Sequence, residues 1–231
     1  MSTGLIVALD TPDLRAAEDL AKRLSGKVAA LKVGLTLFTA HGPEAVRAIG
    51  AHAPVFCDLK LHDIPHQVGL AAAELTRLKV WMFTVHASGG PAMIRAAVDA
   101  AAGGPAAPLV AAVTVLTSLS AQDVRAVGFA GDPAAQVCRL GKLAVDAGAP
   151  ALVCSPRELA LLRADLGPDV VLVTPGVRPA GSAAADQSRV MTPREAAREG
   201  ASYVVVGRPV TDAPDPAEAA GAISEELLGN S

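Results

Sequence analysis

Short apolar runs alternate with longer stretches of helical periodicity along the whole chain. The runs are Leu5–Leu9, Val28–Val33, Val55–Leu59, Val80–Val85, Leu109–Leu116, Ala151–Cys154, Val170–Thr174 and Tyr203–Val206. Most lack polar alternation. A strand buried on both faces reads that way, as in a parallel sheet covered by helices. The intervening segments predict helices over Leu14–Leu24, Thr36–Ile49, Val68–Arg77, Ala92–Ala101, Pro133–Asp146, Arg157–Leu166, Pro193–Glu199 and Pro216–Leu228. Thr11-Pro12, Ser155-Pro156 and Thr192-Pro193 mark helix starts. In each, a capping hydroxyl precedes a proline at the first helical position, where a missing N–H costs nothing.

About eight strands, each followed by a helix, predict an α/β protein with one (β/α)8 TIM barrel as a single domain over residues 1–231. The structural alternative is a doubly wound open sheet. That fold usually has fewer strands and a glycine-rich turn after the first. Here the first run ends in Leu9-Asp10-Thr11-Pro12, which is not GxGxxG.

The length of 231 residues suits one such barrel. A mean hydropathy of +0.38 at first suggests a membrane protein. The apolar residues are dispersed, however. The run Pro105–Leu116, one of the longest, is well short of the ~20 residues of a spanning helix. Net charge is −3, aromatics are 3%, and no basic block exists, which sets nucleic-acid binding aside. A small anionic ligand needs only a local cluster of donors and stays open. Cys57, Cys138 and Cys154 are widely separated with no CxxC pair, so buried thiols in a reducing compartment are expected, not a disulfide or metal site. Met1–Asp10 has neither a basic leader nor a cleavage signal, and the expected location is the cytoplasm.

A barrel carries its chemistry at the C-terminal ends of its strands. Those ends bring up Asp10, Lys32 with Gly34, Asp58 and Lys60 with Asp63, His86, Thr117-Ser118, Ser155, Pro175-Gly176 with Arg178, and Gly207-Arg208. The densest group is Lys32, Asp58, Lys60 and Asp63. Asp58 and Lys60 are two apart on one predicted strand and so share a face. Two cations and two anions in one mouth can form an alternating charge network. A purely structural rim network is the alternative reading.

Three segments favour chemistry over support. One is Asp58-Leu59-Lys60-Leu61-His62-Asp63-Ile64-Pro65, a DxKxxD pattern at the end of the third strand. Another is Thr174-Pro175-Gly176-Val177-Arg178-Pro179, followed by a small-residue loop to Gln187. The third is Val206-Gly207-Arg208-Pro209. The loops after the seventh and eighth strands of barrels often hold phosphate, and arginine offers it a fork of donors.

Together these segments resemble the bacterial orotidine 5′-phosphate decarboxylases, from Leu5 to Thr211. The resemblance implies decarboxylation of orotidine 5′-monophosphate to UMP, with no cofactor and no metal. Lys60 would stabilise and protonate C6 of the pyrimidine, and Lys32, Asp58 and Asp63 would complete the network. Asp63 would reach the site of a neighbouring subunit in a homodimer. Asp10 and Lys32 would hold the ribose hydroxyls, and Thr117 the pyrimidine edge. Pro175 would line the ring, while Arg178, Gln187, Gly207 and Arg208 would hold the phosphate. Ile64 and Gln67 belong to the same substrate-binding set. The family usually has Asn-Thr after Asp-Ile-Pro, where this chain has His66-Gln67. Gln67 can still donate a hydrogen bond there. Phosphate contacts could drive closure of the loop Val177–Arg189 as a lid.

Other polar residues carry less weight. His86 suits a structural role at the rim and His62 a packing role. His41 and His52 are expected to be solvated, and Cys154 buried. Two rival functions are a metal-dependent sugar-phosphate lyase or epimerase on a related barrel, and a non-catalytic nucleotide binder. The first usually carries a metal-holding carboxylate where this chain has Lys32. The second would be expected to lose Lys60 or Asp58 while keeping Arg208.

Overall fold

A computed structural model describes residues 3–104, 107–129, 131–179 and 191–229. Gln187 and most of the predicted lid lie outside the described residues.

The eight predicted strands are present as β1 (Gly4–Ala8), β2 (Ala30–Gly34), β3 (Val55–Leu61), β4 (Met82–His86), β5 (Leu109–Val113), β6 (Ala151–Val153), β7 (Val171–Pro175) and β8 (Tyr203–Val206). They pair in sequence order, all parallel, and β8 closes on β1. Closure excludes the open-sheet alternative and bears out the (β/α)8 barrel.

The helices are α1 (Leu14–Leu24), α2 (Leu35–His41), α3 (Pro43–Gly50), α4 (Pro65–Arg77), α5 (Pro91–Ala102), α6 (Ala121–Ala126), α7 (Pro133–Asp146), α8 (Leu159–Leu166), α9 (Pro193–Arg198), α10 (Arg208–Thr211) and α11 (Pro216–Leu227). Among the described residues, none is long and apolar enough to cross a membrane. Where a strong cap lies next to the helix, the expected boundary holds. Asp132 accepts from the Ala134 N–H at the head of α7. Thr192 and Glu195 form a reciprocal capping box on α9. At α1 the cap is Asp13 instead of Thr11, its carboxylate accepting from the N–H groups of Arg15 and Ala16.

The helix expected over Thr36–Ile49 is two helices. Gly42 sits between them at φ +58°, ψ −140°, a conformation that favours glycine, and Pro43 opens the second helix. The break was written in Gly42-Pro43 but masked by apolar periodicity that continues through it. Helices α6 and α10 were not expected, being too short to show a period.

Two apolar layers follow from the two faces of each strand. Leu5, Val7, Leu31, Val33, Cys57 and Phe83 point outward beneath the helices. Ile6, Ala30, Phe56, Met82, Ala111 and Val205 point inward and fill the barrel. At the lower end Trp81 and Tyr203 meet edge to face, with centroids 5.1 Å apart. The inner residues set the site by counting. Two positions beyond Ala30, Phe56 and Met82 stand Lys32, Asp58 and Thr84. The period of two therefore aims a lysine, an aspartate and a threonine at the upper mouth, where neighbouring strands are expected to bring them together.

Candidate active site

Four charges alternate across the mouth. The Lys32 ammonium lies 3.0 Å from Asp10 Oδ1 and 3.6 Å from Asp58 Oδ2. Lys60 Nζ donates to both oxygens of Asp58 at 2.8 Å. The order is Asp10, Lys32, Asp58, Lys60. Asp10, and not Asp63, completes the alternation within one chain. The Asp58 and Lys32 side chains are only 14% and 12% exposed, so neither charge could be held there unpaired without a large desolvation cost. Burial is the largest single influence on the Asp58 carboxyl and pushes it up. The ammonium groups of Lys32 and Lys60, with hydrogen bonds from Lys60 and Thr84, together outweigh burial and leave it below its ordinary range. Asp58 is therefore ionised at neutral pH.

The Asp58–Lys60 contact does not come from a regular strand, contrary to the simple two-apart argument. On β3, Cys57 pairs with Phe83 and Leu61 with Val85 of β4, so four residue steps oppose two. Lys60 occupies this irregularity at φ +53°. A side-chain-bearing residue in that region costs about 1–2 kcal/mol and persists only where its surroundings hold it. The Lys60 N–H donates to Thr84 Oγ1 at 2.8 Å, and the Thr84 hydroxyl donates to Asp58 Oδ1 at 3.0 Å. Gly34 leaves the space that the Lys32–Asp10 pair uses. A Cβ there would stand 2.9 Å from Lys32 Nζ and 3.1 Å from Asp10 Oδ1.

The network forms one side of a cavity of about 340 Å³ at the barrel mouth, within the size range of small-molecule sites. Its charges come from β1 to β3 and the residues that follow them. The floor is apolar, with Ala8, Phe56, Val153 and Val205, and the remaining wall includes Leu116, Thr117, Pro175, Gly176 and Gly207. The arrangement offers a fixed cation, backed by a carboxylate, against a largely apolar volume. Charge stabilisation is strongest in such a setting.

Seven of the expected site residues line this cavity: Asp10, Lys32, Asp58, Lys60, Thr117, Pro175 and Gly207. Asp63, Ile64 and Gln67 do not. All three are exposed, Asp63 and Ile64 on the turn into α4 and Gln67 in its first turn, and Asp63 Oδ1 accepts from the Ile64 N–H. Arg178 and Arg208 do not line it either. Arg178 follows a bridge between Val177 and Met191, and Arg208 opens α10 directly after Gly207. Ser155 serves as a cap, in a reciprocal box with Glu158. His86 is half-buried beside His62, with ring centroids 5.2 Å apart. Burial first, then His62 and Lys60, hold the His86 imidazole below its usual value, so it is neutral at pH 7.

Two histidines depart from expectation. A ring nitrogen of His41 lies 2.8 Å from the Pro12 carbonyl, and His52 Nε2 is buried 3.7 Å from Glu18 Oε1. Each closes a contact between α1 or its approach and the following helix pair, which periodicity could not show. Cys57 and Cys154 are buried free thiols as expected, whereas Cys138, also expected to be buried, is a free thiol only partly covered on α7. Burial, then the Asp58 charge, pushes the Cys57 thiol up to about 12, so it is not a nucleophile at neutral pH. Thr84 and Phe56 escaped the search for site residues, because each lies inside a run read only as a strand. The available signal was a lone hydroxyl, Thr84, in an otherwise apolar stretch.

The sequence profile described as orotidine 5′-phosphate decarboxylase / HUMPS family matches residues 3–223. The orotidine 5′-phosphate decarboxylase of Anaeromyxobacter sp. (strain K) is 54% identical over 227 residues, 98% of this chain and 99% of that one. That of Moorella thermoacetica is 54% identical over 230 residues, 96% of this chain and 91% of the other. The crystal structure of orotidine 5′-phosphate decarboxylase from Lactobacillus acidophilus superposes with a TM-score of 0.86 at 38% identity, covering 98% of this chain and 99% of that one. With a family match that runs almost end to end and relatives more than half identical over nearly the same span, this chain belongs to the orotidine 5′-phosphate decarboxylase / HUMPS family.

Proposed function

We propose that this protein decarboxylates orotidine 5′-monophosphate to UMP in de novo pyrimidine biosynthesis. The observation that carries the reading is the Lys60 ammonium, held by Asp58 at the wall of a largely apolar cavity. The C6–carboxylate bond breaks, CO2 leaves, and the electron pair stays on C6. Lys60 stabilises that charge and then gives C6 a proton. Asp58 holds Lys60 in place. No covalent electron sink is needed if the cation is preorganised.

The remaining contacts follow the substrate outward. Asp10 and Lys32 take the ribose hydroxyls, Thr117 the pyrimidine edge, and Pro175 packs on the ring. Gly207, Arg208, Arg178 and Gln187 take the phosphate. Asp63, with Ile64 and Gln67 beside it, serves the site of a second copy in a homodimer. Their exposure in the single chain supports that reading. So do Leu35, Ile64 and Leu70, each more than half exposed, on and around β2, β3 and α4.

The direct test is the loss of orotidine 5′-monophosphate absorbance on addition of the protein, measured with and without EDTA. Turnover is expected to be the same in both. Lys32 Nζ occupies the place between Asp10 and Asp58 that a metal ion would need. Loss of turnover in EDTA, restored by Mg²⁺, would favour the metal-dependent sugar-phosphate reading.

Arg208→Ala reports on the phosphate. Losing one hydrogen-bonded charge contact lowers kcat/KM for the nucleotide by about tenfold to a hundredfold. The slow reaction of the phosphate-free nucleoside stays within about twofold, because it never had that contact. Equal losses on the two substrates would move Arg208 from the phosphate to the fold or the ring.

A further inference from the structure

Thr84 is fully buried at the centre of β4, between Phe83 and Val85, which face the helix layer. Valine has nearly the same shape and no hydroxyl to satisfy, so packing alone does not call for threonine here. The hydroxyl has one proton and two lone pairs. An ionised Asp58 can only accept, so the proton goes to Asp58 Oδ1 and a lone pair receives the Lys60 N–H. The direction of the chain from Lys60 N–H through Thr84 to Asp58 is thereby set. At the irregularity in β3, this side chain meets the Lys60 N–H and holds its left-handed backbone.

We propose that Thr84 is a positioning residue for the decarboxylation step: its single hydroxyl ties the Lys60 main chain to the Asp58 carboxylate, so that the Lys60 ammonium is presented to the cavity in one orientation. The proposal rests on reading Lys60 as the group that meets the charge on C6. Without the tie, Lys60 Nζ keeps its attraction to Asp58, but the backbone that carries it is free to leave φ +53° and the carboxylate is free to rotate. A displacement of about 1 Å in such a cation weakens transition-state stabilisation more than it weakens binding. The charged groups that face this assembly are Lys32 and Lys60, with Asp10 behind Lys32, and the His86 and His62 imidazoles and the Cys57 thiol lie beside it.

The test compares Thr84→Val with Thr84→Ser. In Thr84→Val, kcat falls by about tenfold to a hundredfold, the scale of one lost hydrogen bond to a charged group, while KM stays within about threefold. The acid limb of kcat moves to higher pH, because one group favouring the ionised Asp58 is gone. Thr84→Ser, which keeps the hydroxyl, returns kcat to within about threefold of the wild type. A Thr84→Val protein with wild-type kcat and pH profile, or a Thr84→Ser protein no better than it, overturns the assignment. If Thr84→Val does not fold, hydrogen exchange on the wild type decides. Protection of the Lys60 amide supports the tie, and exchange at the rate of an open amide refutes it. A wild type with no activity on orotidine 5′-monophosphate overturns the decarboxylase reading and this proposal with it, whereas an active wild type with an unimpaired Thr84→Val overturns the role of Thr84 alone.

Discussion

Lys60→Ala is expected to lower turnover of orotidine 5′-monophosphate by at least about a thousandfold, the joint scale of a lost electrostatic donor and a lost proton donor. Binding of UMP, the product of the proposed reaction, should remain within about tenfold, because in the proposed mechanism the charge that Lys60 meets exists only on the way to product. The fold should survive. Asp58 keeps Lys32 at 3.6 Å and the Thr84 hydroxyl at 3.0 Å, so its charge is not left alone. Stopped assays on the variant, with calorimetry for UMP, separate these effects. Turnover within about tenfold of the wild type, worth only ~1.4 kcal/mol of barrier, would mean that another group donates the proton.

A comparably large effect is expected as a gain. Lys60→Ala and Asp63→Ala chains, each nearly inactive alone, should recover activity when mixed under conditions that exchange subunits. In a two-fold dimer with shared sites, each site takes Lys60 from one chain and Asp63 from the other. The mixed dimer then has one site with both defects and one with neither. Random exchange at equal amounts makes about half of the dimers mixed, so activity rises to roughly a quarter of the wild type. The motivating observation is the position of Asp63, exposed on the turn after β3 and outside the cavity of its own chain. Mass spectrometry establishes that exchange has occurred. No gain after confirmed exchange would assign Asp63 to its own chain or to no site at all.

Much of the architecture was legible because it is encoded locally. The span of α7 follows from Asp132-Pro133, that of α9 from Thr192-Pro193 with Glu195, and β8 from an isolated Tyr-Val-Val-Val. The cavity residues Asp10, Lys32, Asp58, Lys60, Thr117, Pro175 and Gly207 were legible for a different reason. They end apolar runs, and in a barrel the run ends share one mouth. What failed were inferences that assumed regularity. Periodicity carried the predicted helix through Gly42, and ideal pleating put Asp58 and Lys60 on one face without the irregularity that joins them.

The amino-acid sequence by itself determined the number of strands, their order with the helices, and the residues that close each strand, since these depend on propensity, capping and the period of apolar positions within a short window. It could not determine which of those residues stand at the same height. That depends on the stagger between neighbouring strands, which pairs Ala8 with Lys32 and Gly34 with Asp58. Stagger belongs to the closed ring as a whole, because every strand must satisfy two neighbours at once. Only the tertiary structure therefore put Asp10 instead of Asp63 at the end of the charge network, and turned a threonine inside an apolar strand into the partner of Asp58 and Lys60.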